Sequence, residues 1–261
     1  MKKFFGLLWL FLILTACGGG GGSSSATNTN ASANNSGTPE GIWTGKFHSN
    51  VTGYDYAAQG MVTGNLNSVF TAWWQSPQAG TGEAVYSGNI GTSGDNLSAT
   101  LTGYAPSGFS FPNKTSVSNV SISGTFTQFS TAQGTYSGGG DNGTFSLNYQ
   151  TALYEQPASI SIVNGTWSDA GGPVGAVVHT VIVDSTGKIT GGDTTGCIYS
   201  GNVNIPNSSR NIYSVNMGIS NCPESGSYAG LAYYNNSGGS KSFTYAISGN
   251  AGAMAGILYR Q

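Results

Sequence analysis

Larger apolar side chains alternate with small or polar ones through most of this chain. The run VSNVSISGTFTQF, Val117 to Phe129, has this pattern, and so does VVHTVIVDSTGKITG, Val177 to Gly191, with a turn near Asp184 to Gly187. The segments NIYSVNMGIS, GSYAGLAYY and KSFTYAISGNAGAMAGILYRQ continue it. Helical periodicity is nearly absent. Short β-rich runs punctuated by Gly, Asn, Ser and Asp predict antiparallel strands joined by hairpins. The fold class is all-β.

The chain also repeats. GIWTG at 41–45 recurs as GTWSD at 165–169, and ALYEQ at 152–156 recurs as ILYRQ at 257–261. GTFSLNY near the end of the first unit parallels KSFTYAI near the end of the second. Each copy therefore opens with Gly-x-Trp and ends with Leu-Tyr-x-Gln about a hundred residues later. A unit of that length holds about eight short strands, which suits an antiparallel up-and-down barrel whose closure removes the sheet edges. Two tandem barrel-like repeats are expected, at 39–157 and 158–261. A β-sandwich or one larger fused barrel is the alternative.

The Gly-x-Trp opening resembles the first strand of the calycin group, which includes lipocalins and avidins. That resemblance implies a tryptophan plugging one end of each barrel, with a basic residue from the last strand packed across it. Trp167 and Arg260 take those places in the second unit. Trp43 takes the first in unit one, where the frame puts Glu155 opposite it. The Tyr-rich hairpins and small-residue strands of Gly226–Tyr234 and Ala251–Leu258 are more loosely similar to surface-lipoprotein barrels of the transferrin-binding-protein type.

The first residues read as an export signal. Lys2 and Lys3 precede an apolar core, Phe4 to Leu14, too short to span about 30 Å of hydrocarbon as a helix. Leu14-Thr15-Ala16-Cys17 resembles the lipobox of bacterial lipoproteins. It implies signal removal after residue 16 and lipid on the Cys17 thiol, so the membrane is a partner through acyl chains. Burial contributes about 0.8 kcal/mol per methylene, and several chains make the attachment durable. Gly18 to Gly37 offers almost nothing to bury and reads as a flexible tether, giving a segment of 17–38 between signal and barrels. Gly18 is not the aspartate that retains such proteins at the inner membrane, so the outer membrane is the expected address.

Composition narrows the function. Eight Lys and Arg occur in the chain, two of them in the signal, leaving six against ten Asp and Glu in a mature protein of formal charge −4. With no basic stripe, nucleic acid is excluded as a partner. Cys197 and Cys222 remain once Cys17 is set aside, and an exported chain meets an oxidising compartment, so a disulfide is expected. The runs GCIYSGNVNI and NIYSVNMGISNC can pair through the turn PNSSR, which places position 197 opposite about position 220. Two cysteines without CxxC spacing and two distant histidines make no zinc set, so no metal is expected.

Catalytic patterns are absent. Gly138, Gly140 and Gly143 match a GxGxxG spacing, but the TFSLNY that follows reads as a strand, so these are hairpin glycines. His48 and His179 are the only histidines, and His179 sits in a strand as a packing or surface residue. Asp141, Asp184 and Asp193 lie in glycine-rich turns, where local hydrogen bonding favours Asp; calcium there has little support. Trp73 and Trp74 are adjacent on one strand and so face opposite sides, making them candidate surface anchors for a partner or glycan. The sequence predicts no enzyme and no cofactor. It predicts a binding or structural role, with a small ligand in a barrel cavity or, alternatively, a protein-interaction or adhesion module acting through its outer surface and loops.

Overall fold

The computed structural model describes residues 37–76, 80–169 and 176–261. The signal, Cys17 and the tether to residue 36 lie outside the described residues, as do the side chains of Trp73 and Trp74.

The first barrel is built from β1 (Gly41–Ser49), β2 (Asp55–Val62), β3 (Asn67–Ser76), β4 (Gly80–Asn89), β5 (Gly91–Ser93), β6 (Asn96–Tyr104), β7 (Val117–Thr127), β8 (Thr131–Gly138) and β9 (Asp141–Tyr149). All pairings are antiparallel. β9 returns to β1, and β4 pairs with β6 through Val85–Tyr104, Tyr86–Gly103 and Ser87–Thr102. Eight strands thus close the wall, while β5 is a short extra strand beside β6. Two short helices follow, α1 (Thr151–Tyr154) and α2 (Ile160–Val163). The second barrel is β10 (Gly165–Ser168), β11 (His179–Val183), β12 (Lys188–Asp193), β13 (Ile198–Asn204), β14 (Tyr213–Ser220), β15 (Gly226–Asn235), β16 (Ser242–Gly249) and β17 (Gly252–Arg260). Each of its strands pairs with its sequence neighbour, and β17 closes on β10. The protein is all-β with two closed eight-stranded barrels.

The pleat explains the alternation. In β9, Gly143, Phe145, Leu147 and Tyr149 are buried while the residues between them are exposed. In β14, Tyr213, Val215, Met217 and Ile219 are buried. Successive strand residues face opposite sides, so every second one enters the barrel.

Each barrel is plugged at its base by the predicted tryptophan. Trp43 is 2% exposed and Trp167 0%. Each indole N–H donates to the carbonyl four residues back, Pro39 at 2.9 Å and Val163 at 2.7 Å, so burial leaves no donor unpaired. The glycine two positions before each tryptophan makes room for the last strand. Gly41 and Gly165 have φ of 154° and 138°. A Cβ at Gly41 would lie 2.6 Å from Tyr149 Cε2, and one at Gly165 would lie 2.8 Å from Arg260 Nη2.

Those contacts correct the repeat frame. Trp167 pairs with Arg260, whose guanidinium lies 5.5 Å over the indole and donates to the carbonyls of Ile162 and Asn164. Trp43 pairs with Tyr149, whose ring meets it edge-on at 5.4 Å. Tyr149, not Glu155, is the counterpart of Arg260. ALYEQ begins in helix α1 while ILYRQ ends strand β17, so the two copies of Leu-Tyr-x-Gln are not structural equivalents.

The barrels share a core. Met61, Val69 and Val85 alternate with interior residues such as Val62, Phe70 and Tyr86, so they face outward, yet none is more than 4% exposed. They belong to one apolar cluster with Leu231, Tyr233 and Ala246 of the second barrel. Gln59 Nε2 donates to Tyr233 Oη, and Ser87 and Ser248 share a hydrogen bond of 2.8 Å. Asn211, 3% exposed, fastens α1 to the second barrel. Its Nδ2 donates to Leu153 O at 2.8 Å and Tyr234 O at 2.6 Å, and its Oδ1 accepts from Tyr234 N.

The Cys197–Cys222 disulfide is present, with Cα atoms 5.1 Å apart. β13 and β14 form the expected hairpin, with Ile198 opposite Ser220. Losing a bond that closes 25 residues should cost about 3 kcal/mol, read as a lower denaturation midpoint for the Cys197→Ala/Cys222→Ala double variant. Arg260→Ala should destabilise by about 1–3 kcal/mol, since it removes the cation–π contact and two hydrogen bonds at the plug. Arg260→Lys should restore only part of that loss in calorimetry, because a point charge lacks the planar fork.

Candidate functional site

A barrel plugged at one end offers its interior and its opposite end as places for a ligand. The interiors are filled. The first barrel keeps two voids of about 30 and 40 Å³, and the second keeps one of about 40 Å³. The 30 Å³ void is lined by apolar residues including Trp43, Phe70 and Phe145, and the void of the second barrel by Val203, Met217 and Phe243 among others. Such spaces have room for about three waters, against the roughly 300–1,000 Å³ of small-molecule sites.

The ends opposite the tryptophans carry a Tyr–Asp pair in each barrel. In the first, Tyr136 Oη donates to Asp141 Oδ2 at 2.9 Å and Ser49 Oγ to Asp141 Oδ1 at 2.9 Å. In the second, Tyr199 Oη donates to Asp193 Oδ2 at 2.7 Å. Asp193 Oδ1 also accepts from Thr195 N, Thr195 Oγ1 and Cys197 N, which fixes the turn leading into the disulfide. Partial burial works against the Asp193 carboxylate, but the hydrogen bonds from Thr195, Tyr199 and Cys197 outweigh it and hold its pKa at about 2. Burial and that same carboxylate push the Tyr199 hydroxyl well up.

His179 stands beside this pair. Its Nδ1 lies 2.6 Å from Asp169 Oδ2, its backbone N–H donates to Asp169 Oδ1 at 2.7 Å, and its ring stacks on Tyr199 at 6.3 Å. The double hold from Asp169 fixes the start of β11 against the end of β10. His179 is thus half-buried and tied into a polar network rather than simply packed. His48 is on the surface with Asp55, which Lys46 and then His48 hold below its ordinary pKa.

The remaining candidates fall as follows. Asp184 Oδ1 accepts from Thr186 N, Thr186 Oγ1 and Lys188 N, so it caps the β11–β12 turn, and Asp193 is likewise committed to local donors. Gly139 and Gly140 form the β8–β9 turn with φ of 64° and 81°, and a strand follows. Among the described residues, Cys197, Cys222 and Glu224 are the metal-type ligands that converge, and the disulfide uses both sulfurs. Trp73 and Trp74 sit on β3 opposite Glu83 and Gly82; their role as anchors lies outside the described side chains. Burial raises the pKa of Glu83, partly offset by a hydrogen bond from Thr71.

The larger concave surfaces are outside the barrels. A cleft of about 390 Å³ lies by α1, lined by Gln150, Gln156, Asn211 and Asn235 among others. A groove of about 560 Å³ lies where the loops of both barrels meet, between Tyr104–Phe109 on one side and Pro223, Glu224 and Asn250–Met254 on the other. Neither was legible in the sequence, because each is assembled from loops distant in the chain. No protein-family model matches this chain, and no curated protein or solved structure matches it either.

The network at Asp193 gives a pH prediction. A carboxylate whose pKa is lowered on folding stabilises the native state fully above its unfolded pKa, about 3.9. That contribution should fade as pH falls from about 4 through 2, so urea midpoints measured from pH 5 to pH 2 should drop less steeply for Asp193→Asn than for the native protein.

Proposed function

We propose that this chain is a lipid-anchored bacterial envelope protein that acts without catalysis, through its outer surface and loops, as a protein-interaction or adhesion module. The observation that carries this reading is the filling of both barrels. Among the described residues the interior voids are about 30–40 Å³, small for a ligand, whereas the external clefts are about ten times larger. Two rigid barrels with a shared core make a scaffold on which loops are held in place, the usual division of labour between framework and recognition surface.

The anchor reading rests on residues 1–37. A charged start, a short apolar core, the LTAC motif ending at Cys17 and a Gly/Ser/Asn tether together support attachment to the outer membrane. The non-catalytic reading is supported by the commitments of the reactive side chains: His179 to Asp169, Asp193 to its turn, and Cys197 and Cys222 to each other.

Two measurements test these points. The Cys17→Ser protein should appear in the soluble fraction with its signal uncut; a variant processed and membrane-bound like the native chain would remove the anchor. Native mass spectrometry of the purified protein should show no stoichiometric small molecule, and finding one would return the function to the barrel interiors.

A further inference from the structure

The groove between the barrels has walls that are fixed before anything binds. On the first barrel the connection from β6 to β7 runs from residue 105 to 116. Ala105 N–H donates to Ser116 O at 2.8 Å, Phe109 N–H to Pro106 O at 2.9 Å, and Asn113 N–H to Gly139 O at 2.9 Å. The Phe111 ring, 4% exposed, is sunk beside Tyr86 at 6.2 Å and pins the loop to the barrel. Phe109, two residues earlier, is left half-buried at the groove.

The opposite wall is held covalently. Cys222 is bonded to Cys197, Ser225 N–H donates to Cys222 O at 3.1 Å, and Tyr228 Oη donates to Glu224 O at 2.7 Å. Pro223 and Glu224 are thereby presented on a loop fixed at both ends. The groove also borders the shared core, since Ala253 lines it and packs against that core. A site whose loops are already ordered loses little conformational freedom on binding.

The lining selects a ligand class. Among the described residues Glu224 is the charged side chain that lines the groove, with no Lys, Arg or His beside it, so a phosphate, carboxylate or sulfate group would meet a like charge and no cation. Tyr104, Phe109 and Val117 supply apolar contact, Val117 being 47% exposed, while Ser107, Ser116 and Asn250 supply donors and acceptors. An acyl chain would be better served by a dry chamber, and this groove is open and mixed in polarity. A sugar ring matches both halves of the lining. Its weakly positive C–H face packs on the negative face of an aromatic ring. Its hydroxyls donate to a carboxylate and exchange hydrogen bonds with serine and amide groups.

We propose that the groove between the two barrels is a binding site for a neutral oligosaccharide. This deepens the surface-interaction reading and rests on it. The test is saturation-transfer difference NMR on the purified full-length protein, in a detergent without a sugar headgroup, with maltohexaose, cellohexaose and chitohexaose as probes. At least one should receive saturation on its ring-face protons with a Kd of about 1 mM or tighter. Added salt should leave that Kd unchanged, because the ligand is uncharged. Phe109→Ala and Glu224→Gln should each weaken binding about tenfold or more, while Ile198→Ala, exposed elsewhere on the second barrel, should not. Thermal melts matching the native protein would show that the variants fold. Failure of all three sugars, or binding that survives both groove variants, would overturn the proposal. Failure of all three sugars beside a protein partner that binds elsewhere on the surface would overturn the groove alone and leave the interaction reading standing.

Discussion

An indole buried at the base of a barrel must find an acceptor for its N–H, and in this protein the acceptor lies four residues back in the chain. That requirement curls the segment before each first strand beneath its barrel, at Pro39 for Trp43 and at Val163 for Trp167. It also brings the first strand into register with the last, whose terminal residue fills the space left by the glycine two positions earlier. The same device is completed by different chemistry in the two copies. Tyr149 meets Trp43 edge-on and is itself flanked by Phe129 and Tyr154, making an aromatic base. Arg260 covers Trp167 with a guanidinium and spends two donors on the carbonyls around α2. Both solutions cover a buried indole whose N–H is already paired within its own segment, which is why one can replace the other.

Plugged bases and large interior side chains leave the barrels packed, so the larger concave surfaces lie outside them. The two barrels spend one outer face on each other, where Met61, Val69 and Val85 meet Leu231, Tyr233 and Ala246. Asn211 and the Arg210–Tyr154 stacking, at 5.4 Å, hold the helical connection against the second barrel. Away from that face lies the rim: loops stapled by Phe111, by the disulfide and by aspartates that collect backbone donors. Their rigidity comes from local hydrogen bonds made within the wall, so it does not depend on an occupant.

The β class and the hairpins could be read from residues alone, because they are short-range properties, while the place of each plug came from the resemblance of Gly-x-Trp to the calycin group. A pleated strand buries every second residue, so alternation in DNGTFSLNY or YSVNMGIS reports its geometry directly. The Cys197–Cys222 bond followed from the register of one hairpin, and Trp167 with Arg260 followed from a repeat whose ends are sequence-marked. The same marks misled in the first unit, where Leu-Tyr-x-Gln lies beyond the last strand, in a helix, and Tyr149 holds the closing place.

Tertiary structure alone decided which outward faces are covered and where the chain makes a concave surface. Met61 and Val69 read as ordinary strand residues, and nothing in their own segments says that another barrel lies against them. The pairing of His179 with Asp169, and of Tyr136 with Asp141 and Ser49, depends on strand ends meeting at a rim. The size of the interior voids depends on how large side chains from different strands interdigitate. These are long-range matters, set by closure and docking, and a period of two carries no information about either. By itself the sequence determined the strands and their hairpins, since those obey local pleat and hydrogen-bond rules, and the Gly-x-Trp openings marked the tryptophan that stoppers each barrel. The three-dimensional fold decided that the barrels are full and that their loops meet in a groove, since only packed volume can settle where space is left.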